Sequence, residues 1–130
     1  MKWSHVALNC RDLDATEEFY RRWFGFERAH SFPAGGSRIV FLRRGDAYLE
    51  LFQASDGPPG GDGPTAAGTL RHLALQTGDV DRVLAGMGSH AQVTLGPMSF
   101  DEFIPGWRTV WLTDPDGTVV EVSQGFRSTP

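Results

Sequence analysis

His5-Val6-Ala7-Leu8 returns later in the chain as His72-Leu73-Ala74-Leu75. At the same spacing Asp12-Leu13-Asp14 returns as Asp79-Val80-Asp81. At a slightly longer one Tyr48-Leu49-Glu50-Leu51 is matched by Val119-Val120-Glu121-Val122, a drift that loops absorb. Recurrence of this kind marks one supersecondary unit used twice. Each copy carries a His on its first apolar run and a Glu on its last.

The residues between these anchors supply the elements. Residues 3–9 predict a strand, with His5 opposite Val6 and Leu8. A helix follows, with Asp14 as N-cap and Glu17 as its capping-box partner. Ala15, Phe19 and Trp23 form one apolar stripe, and Gly25 supplies a left-handed stop. Extended runs at 26–32, 37–43 and 46–53 are joined by Pro33-Ala34-Gly35-Gly36 and by Arg44-Gly45, both good turn chemistry. The second copy repeats the order. It has a strand over 70–76, a shorter helix capped by Asp79 or Asp81 with Val80, Val83, Leu84 and Met87 inward, and a strand near 91–95. Strands over 108–113 and 118–124 then form a hairpin about Asp114-Pro115-Asp116-Gly117. Both copies read β-α-β-β-β, an α+β pattern. The expected organisation is a first module over 1–53, a Gly/Pro-rich linker over 54–68 and a second module over 69–126. A unit of about half this length buries too little surface to stand alone. One structural domain is therefore expected, its core shared within a chain or between chains.

The bulk properties exclude several classes. The chain of 130 residues has 40% hydrophobic residues and a mean hydropathy of −0.28, as a soluble globular protein does. A net charge of −4 offers no broad attraction to nucleic acid or to an anionic membrane. No apolar run is long enough to span a bilayer, and the strand-like start at Trp3 argues against a signal peptide. The single Cys10 has no partner for an internal disulfide, which fits a cytoplasmic protein.

The repeated His5, Glu50, His72 and Glu121 carry the chemistry. Singly, a strand His is usually a hydrogen-bonded residue and a strand Glu usually faces water. Their recurrence at matching places shifts the balance toward a shared role. Imidazole nitrogen and carboxylate oxygen together suit a first-row divalent ion such as zinc, iron, cobalt, nickel or manganese. His30 and His90 have no counterpart in the other copy and read as surface residues, with a supporting or proton-shuttle role open. Residues 96–107 form a loop of unusual content, including Phe100, Phe103 and Trp107. With Tyr48 and Phe52 these aromatics can wall a pocket, or serve as ordinary core. Arg38 and Arg108 offer charge for an anionic group, or simply solvated strand positions.

Taken together, the residues resemble the vicinal oxygen chelate superfamily, which includes glyoxalase I, extradiol dioxygenases, fosfomycin-resistance enzymes and bleomycin-binding proteins. The resemblance rests on His5-Val6-Ala7-Leu8-Asn9 with Asp12-Leu13, Phe19-Tyr20, Trp23-Phe24-Gly25-Phe26, Tyr48-Leu49-Glu50-Leu51 and His72-Leu73-Ala74-Leu75. It extends to Leu112-Thr113-Asp114-Pro115-Asp116-Gly117 leading to Glu121. It implies paired β-α-β-β-β modules whose mixed sheets curl into an open barrel, one divalent metal ion held by His5, Glu50, His72 and Glu121, a small-molecule substrate and a homodimer. The full quartet is the glyoxalase-like choice. That choice implies a lyase or isomerase whose substrate chelates the metal through vicinal oxygens and passes through an enediolate, with Glu121 as the base and Glu50 as its symmetric counterpart. A thiol cosubstrate is left open, because neither the linker nor the aromatic loop matches the glutathione-binding segments of glyoxalase I. Two alternatives stand beside this reading. One is an extradiol-type dioxygenase using His5, His72 and Glu121, with an acid-base group drawn from His30, His90 or Tyr48. The other is a metal-free antibiotic- or metabolite-binding protein.

Overall fold

A computed structural model describes residues 1–54, 61–64 and 67–127. The chain divides into two compact units, Met1–Gly57 and Pro58–Pro130. The first contains β1 (Val6–Cys10), α1 (Leu13–Phe24), β2 (Glu27–Ala34), β3 (Ser37–Arg44) and β4 (Ala47–Gln53). The second contains β5 (Leu73–Thr77), α2 (Val80–Met87), β6 (Val93–Ser99), β7 (Arg108–Thr113) and β8 (Val119–Gln124). Each unit is β-α-β-β-β with one mixed four-stranded sheet, ordered β1-β4-β3-β2 and β5-β8-β7-β6. In each, the first strand lies parallel to the last, and the other pairs are antiparallel. Among the described residues no helix is long and apolar enough to cross a membrane.

Alternation divides each sheet into two faces. In unit 1 Leu8, Cys10, Val40, Leu42, Leu49 and Leu51 are buried on the side that takes α1. The helix contributes Leu13, Thr16, Tyr20 and Phe24, spaced as one helical stripe. That stripe is rotated from the expected one: Phe19 is buried, but Ala15 and Trp23 are only half-buried, and Trp23 lies 4.4 Å from the Arg22 guanidinium. In unit 2 Val110, Leu112, Val120 and Val122 form the corresponding floor, with Val80 and Met87 buried from α2.

Both helices start at the first Asp of the repeated Asp-X-Asp. Asp12 is extended and its carboxylate accepts from the N–H groups of Asp14 and Ala15 at 3.0 and 3.1 Å. Asp79 accepts from Arg82 N–H at 3.0 Å. The expectation of Asp14 as cap is corrected to Asp12, because β1 already ends at Cys10 and Leu13 is helical. Glu17 therefore closes no capping box. It is buried and accepts two hydrogen bonds from Arg28 of β2, one at 2.7 Å from Nε. At the other end Gly25 takes φ +70°, and Phe26 N–H returns to the Tyr20 carbonyl at 3.1 Å.

Unit 2 departs from expectation at β6, which runs on to Ser99 with irregular pairing on β7. The loop is thereby shortened to Phe100–Trp107. It is closed by Phe100 N–H to the Trp107 carbonyl at 2.8 Å and pinned by buried Ile104. Much of the 54–68 linker expected from composition lies outside the described residues. Residues 61–64, however, pack: Gly63 is buried, and Asp62 bonds Arg71 at 3.0 and 3.1 Å.

The Glu17–Arg28 pair links helix to sheet and yields a test. The Arg28 hydrogen bonds hold the Glu17 carboxyl below the usual carboxylate range, against the opposing effect of burial and with help from the Arg28 charge. A depressed folded-state value contributes stability above the ordinary carboxylate range, and that contribution is lost as pH falls through the folded value. Glu17→Gln is expected to lower stability by about 1–2 kcal/mol at neutral pH, since Arg28 is half-exposed and partly screened. The gap from wild type should shrink at about pH 3; urea denaturation at both pH values measures it.

Candidate functional site

The face of each sheet turned away from its helix carries the repeated His and Glu. In β4 the buried Leu49 and Leu51 alternate with half-buried Tyr48, Glu50 and Phe52. Parallel pairing sets Ala7 beside Glu50, so His5, two residues earlier, shares that face. Its Nε2 lies 3.6 Å from Glu50 Oε1. In unit 2 Ala74 pairs with Glu121, and His72 Nε2 lies 2.8 Å from Glu121 Oε2. The four candidate ligands thus come together as two pairs, one in each unit. Neither unit gathers three or more His, Cys, Asp or Glu side chains into a cation-binding group among its described residues. Both histidines sit just ahead of β1 and β5 rather than inside them, a correction to the mid-strand expectation.

Each imidazole is also held at its other nitrogen. His72 Nδ1 is 2.9 Å from the Asp62 carbonyl, and His5 Nδ1 is 2.8 Å from Ser4 Oγ. A carbonyl only accepts, so His72 Nδ1 carries a hydrogen, and Nε2 is the nitrogen turned toward Glu121. Nε2 and the carboxylate oxygen, 2.8 Å apart, are the two donor atoms this pair would offer a cation. Holding the far nitrogen is also what orients a metal-ligating His. The donor set therefore fits a first-row divalent ion.

Corresponding aromatics stand beside the two pairs. Phe41 pairs across from Glu50 and meets the His5 ring edge-on at 5.5 Å. Trp111 pairs across from Glu121 and meets the His72 ring at 6.2 Å. The pairs differ in support. Thr109 Oγ donates to Glu121 Oε1 at 2.8 Å, whereas Ile39 holds the corresponding place in β3. Glu121 is buried, while Glu50 is only partly so.

The remaining predicted residues divide by face. Tyr48 lines a cavity of about 690 Å³ with His5, His30 and Phe41. Phe52 shares the Glu50 face. Phe100 packs on Trp107 at 5.0 Å and on Trp111 at 6.1 Å. Phe103 is the outlier of the aromatic loop, 66% exposed. Both arginines are corrected. Arg38 pairs with Asp14 of α1, and Arg108 bonds Asp81 of α2 at 3.0 Å. Each is drawn to the helix side of its sheet, opposite Glu50 and Glu121, because a helix carboxylate is its nearest counter-charge. His90 lies in the turn after α2, with Nδ1 3.3 Å from the Met87 carbonyl. Thr109, Asp62 and Trp111 escaped the sequence reading. Thr109 and Trp111 become site residues only through the β7–β8 register, and Asp62 acts through its backbone carbonyl, which any residue type would provide.

Comparison with known proteins follows the same outline. The family model described as the Glyoxalase/Bleomycin resistance protein/Dioxygenase superfamily matches residues 2–122. The uncharacterised protein YwkD of Bacillus subtilis (strain 168) is 28% identical over 121 residues, spanning 91% of this chain and 92% of that one. The glyoxalase family protein from Enterococcus faecalis is similar with a TM-score of 0.75 and 28% identity, over 95% of this chain and 97% of that one. The fosfomycin resistance protein FosX from Listeria monocytogenes, complexed with Mn(II) and sulfate ion, shares the fold with a TM-score of 0.72 and 18% identity, over 96% and 93% of the two chains.

The Asp62 contact on His72 depends on Gly63. This buried glycine has φ +112°, and a Cβ there would fall 1.5 Å from the Arg71 carbonyl oxygen. Gly63→Ala is expected to cost about 2–3 kcal/mol and to shift the His72 ring ¹⁵N resonances as the Nδ1 hydrogen bond is lost. Gly36→Ala, where a Cβ meets open space, should do neither. Thermal denaturation and ¹⁵N spectra of the imidazoles provide the comparison.

Proposed function

The chain belongs to the glyoxalase/bleomycin resistance protein/dioxygenase superfamily, and from that membership and its two His–Glu pairs we infer a metal-dependent lyase or isomerase of glyoxalase type. His5, Glu50, His72 and Glu121 are its proposed ligands to a divalent ion, and a homodimer is its proposed assembly. The observation that carries this reading is the duplicated geometry: in each unit Nε2 faces a carboxylate while Nδ1 is held by a neighbour. A bound divalent ion supplies Lewis acidity toward two vicinal oxygens of a small substrate. The protein must then provide a base beside the carbon acid. Glu121 fills that role, because it lines a cavity of its own unit and Thr109 fixes its orientation. Glu50 is its counterpart on the other pair. The aromatics about the two pairs limit water around the reacting carbon.

A second reading has one observation in its favour. Ring-cleaving dioxygenase chemistry needs an acid-base group beyond the ligands, and His30 and Tyr48 both line the cavity that contains His5.

Two measurements test these readings. Protein purified without chelator is expected to hold about one divalent ion per chain, and His5→Ala and His72→Ala should each weaken metal binding by at least about 100-fold, beyond the 10–100-fold effect of supporting residues. Wild-type metal content in both variants would sink the proposal. Glu121→Gln should keep the fold and remove most turnover in a hemithioacetal isomerisation assay. Consumption of oxygen with a catechol, and no isomerisation, would select the dioxygenase instead.

A further inference from the structure

The cavity beside Glu121 differs in chemistry from the one beside His5. It has a volume of about 290 Å³ and is lined by Ala74, Gln76, Trp107, Glu121, Ser123 and Phe126, among others. That size is near the lower end for small-molecule sites, about 300–1,000 Å³. Its walls are aromatic: Trp107 and Phe126 have ring centroids 5.5 Å apart at an angle of 55°. Trp107 does not swing freely. Its indole N–H donates to Ser123 Oγ at 2.9 Å, and Phe100 packs on its ring. Phe126 remains 52% exposed, an apolar surface that burial against a ligand would stabilise.

The polar groups of this cavity come from the register. Gln76 pairs with Ser123, and Ala74 pairs with Glu121, so the small alanine floors the space between an amide, a hydroxyl and a carboxylate. Ser123 accepts from Trp107, which leaves its own hydroxyl hydrogen free to donate. Among the described lining residues there is no Lys, Arg or His. Arg108 is bonded to Asp81 on the helix side, and Arg127, next to Phe126, is bonded to the Pro105 carbonyl at 3.0 Å. A charged group entering it would therefore be desolvated without a cationic partner among these walls. The unit 1 cavity, by contrast, contains Lys2, His5 and His30.

We propose that this cavity binds an uncharged aromatic ring of the substrate, attached next to the vicinal oxygens, with Trp107 and Phe126 on its faces and Gln76 and Ser123 at its edge. The proposal rests on the chelating reading given above. It adds a substrate class: an aryl-bearing compound, as opposed to one with a phosphonate or carboxylate arm. Flat, rigid aromatic walls favour such a group through ring–ring contact beyond simple area burial.

Two hydroxamates that chelate through vicinal oxygens separate the ideas. Isothermal titration of the metal-loaded protein is expected to give benzohydroxamate an affinity at least about tenfold above acetohydroxamate, consistent with burial of a ring. A 4-carboxyl group on the ring should remove that advantage. Phe126→Ala, at an exposed position, and Trp107→Ala should each erase most of it while leaving acetohydroxamate within about twofold, because only the ring meets these walls. An advantage that survives both variants, equal affinity for the first two compounds, or undiminished binding of the carboxylated ring would overturn the aromatic cavity while leaving chelation intact. Failure of either parent hydroxamate to bind metal-loaded protein would overturn the chelating reading, and this proposal with it.

Discussion

Parallel pairing of the first strand of each unit with its last is the constraint on which the rest depends. Strands that follow one another by tight turns can only be antiparallel; a parallel neighbour requires a crossover. Here α1 and α2 begin the excursions that return β4 beside β1 and β8 beside β5. The outcome is that the beginning and end of each module lie side by side. A His that precedes the first strand and a Glu in the last, far apart in the chain, then stand on one face. An antiparallel hairpin joining nearest neighbours would never bring them together.

The helix on the opposite face makes this arrangement durable. Alternation sends Leu49 and Leu51 under α1 and leaves Glu50 on the other side. A slip of one residue in the β1–β4 register would exchange those roles, burying a carboxylate beneath the helix and exposing two leucines. The cost of burying an unpaired charge protects the register. The same pattern repeats in β8, where Val120 and Val122 flank Glu121. Site and core are therefore two consequences of a single alternation.

The units share a plan and differ in finish. Phe41 and Trp111 occupy corresponding places beside their histidines. Glu121 alone receives a threonine hydroxyl, and His72 alone is set by a backbone carbonyl. The surroundings diverge further: aromatic side chains line both cavities, but Lys2, His30 and Asp46 stand near His5, while the described lining near Glu121 has no Lys, Arg or His.

Much of this was legible in the chain. The His, Asp-X-Asp and Glu anchors recur, and apolar alternation alone predicts two β-α-β-β-β modules, because side-chain period follows backbone geometry. The caps were legible only in part: Asp79, one of two residues offered for the second helix, caps it, whereas the first helix is capped by Asp12 and not by Asp14. What the chain could not disclose is whatever depends on lateral register or on backbone atoms. Arg38 and Arg108 read as free charges until α1 and α2 brought Asp14 and Asp81 beside them. Thr109, Gln76 and Ser123 acquire roles only by standing next to Glu121 or to one another across strands. Gly63 looked like linker and proved to be the residue without a Cβ that lets Asp62 approach His72. Local pattern, then, determined the elements, their order and the four repeated anchors, since these follow from period and propensity along one strand or helix. Tertiary structure alone decided which side chains became neighbours, since pairing between distant strands is a property of the folded sheet and is written in no single segment.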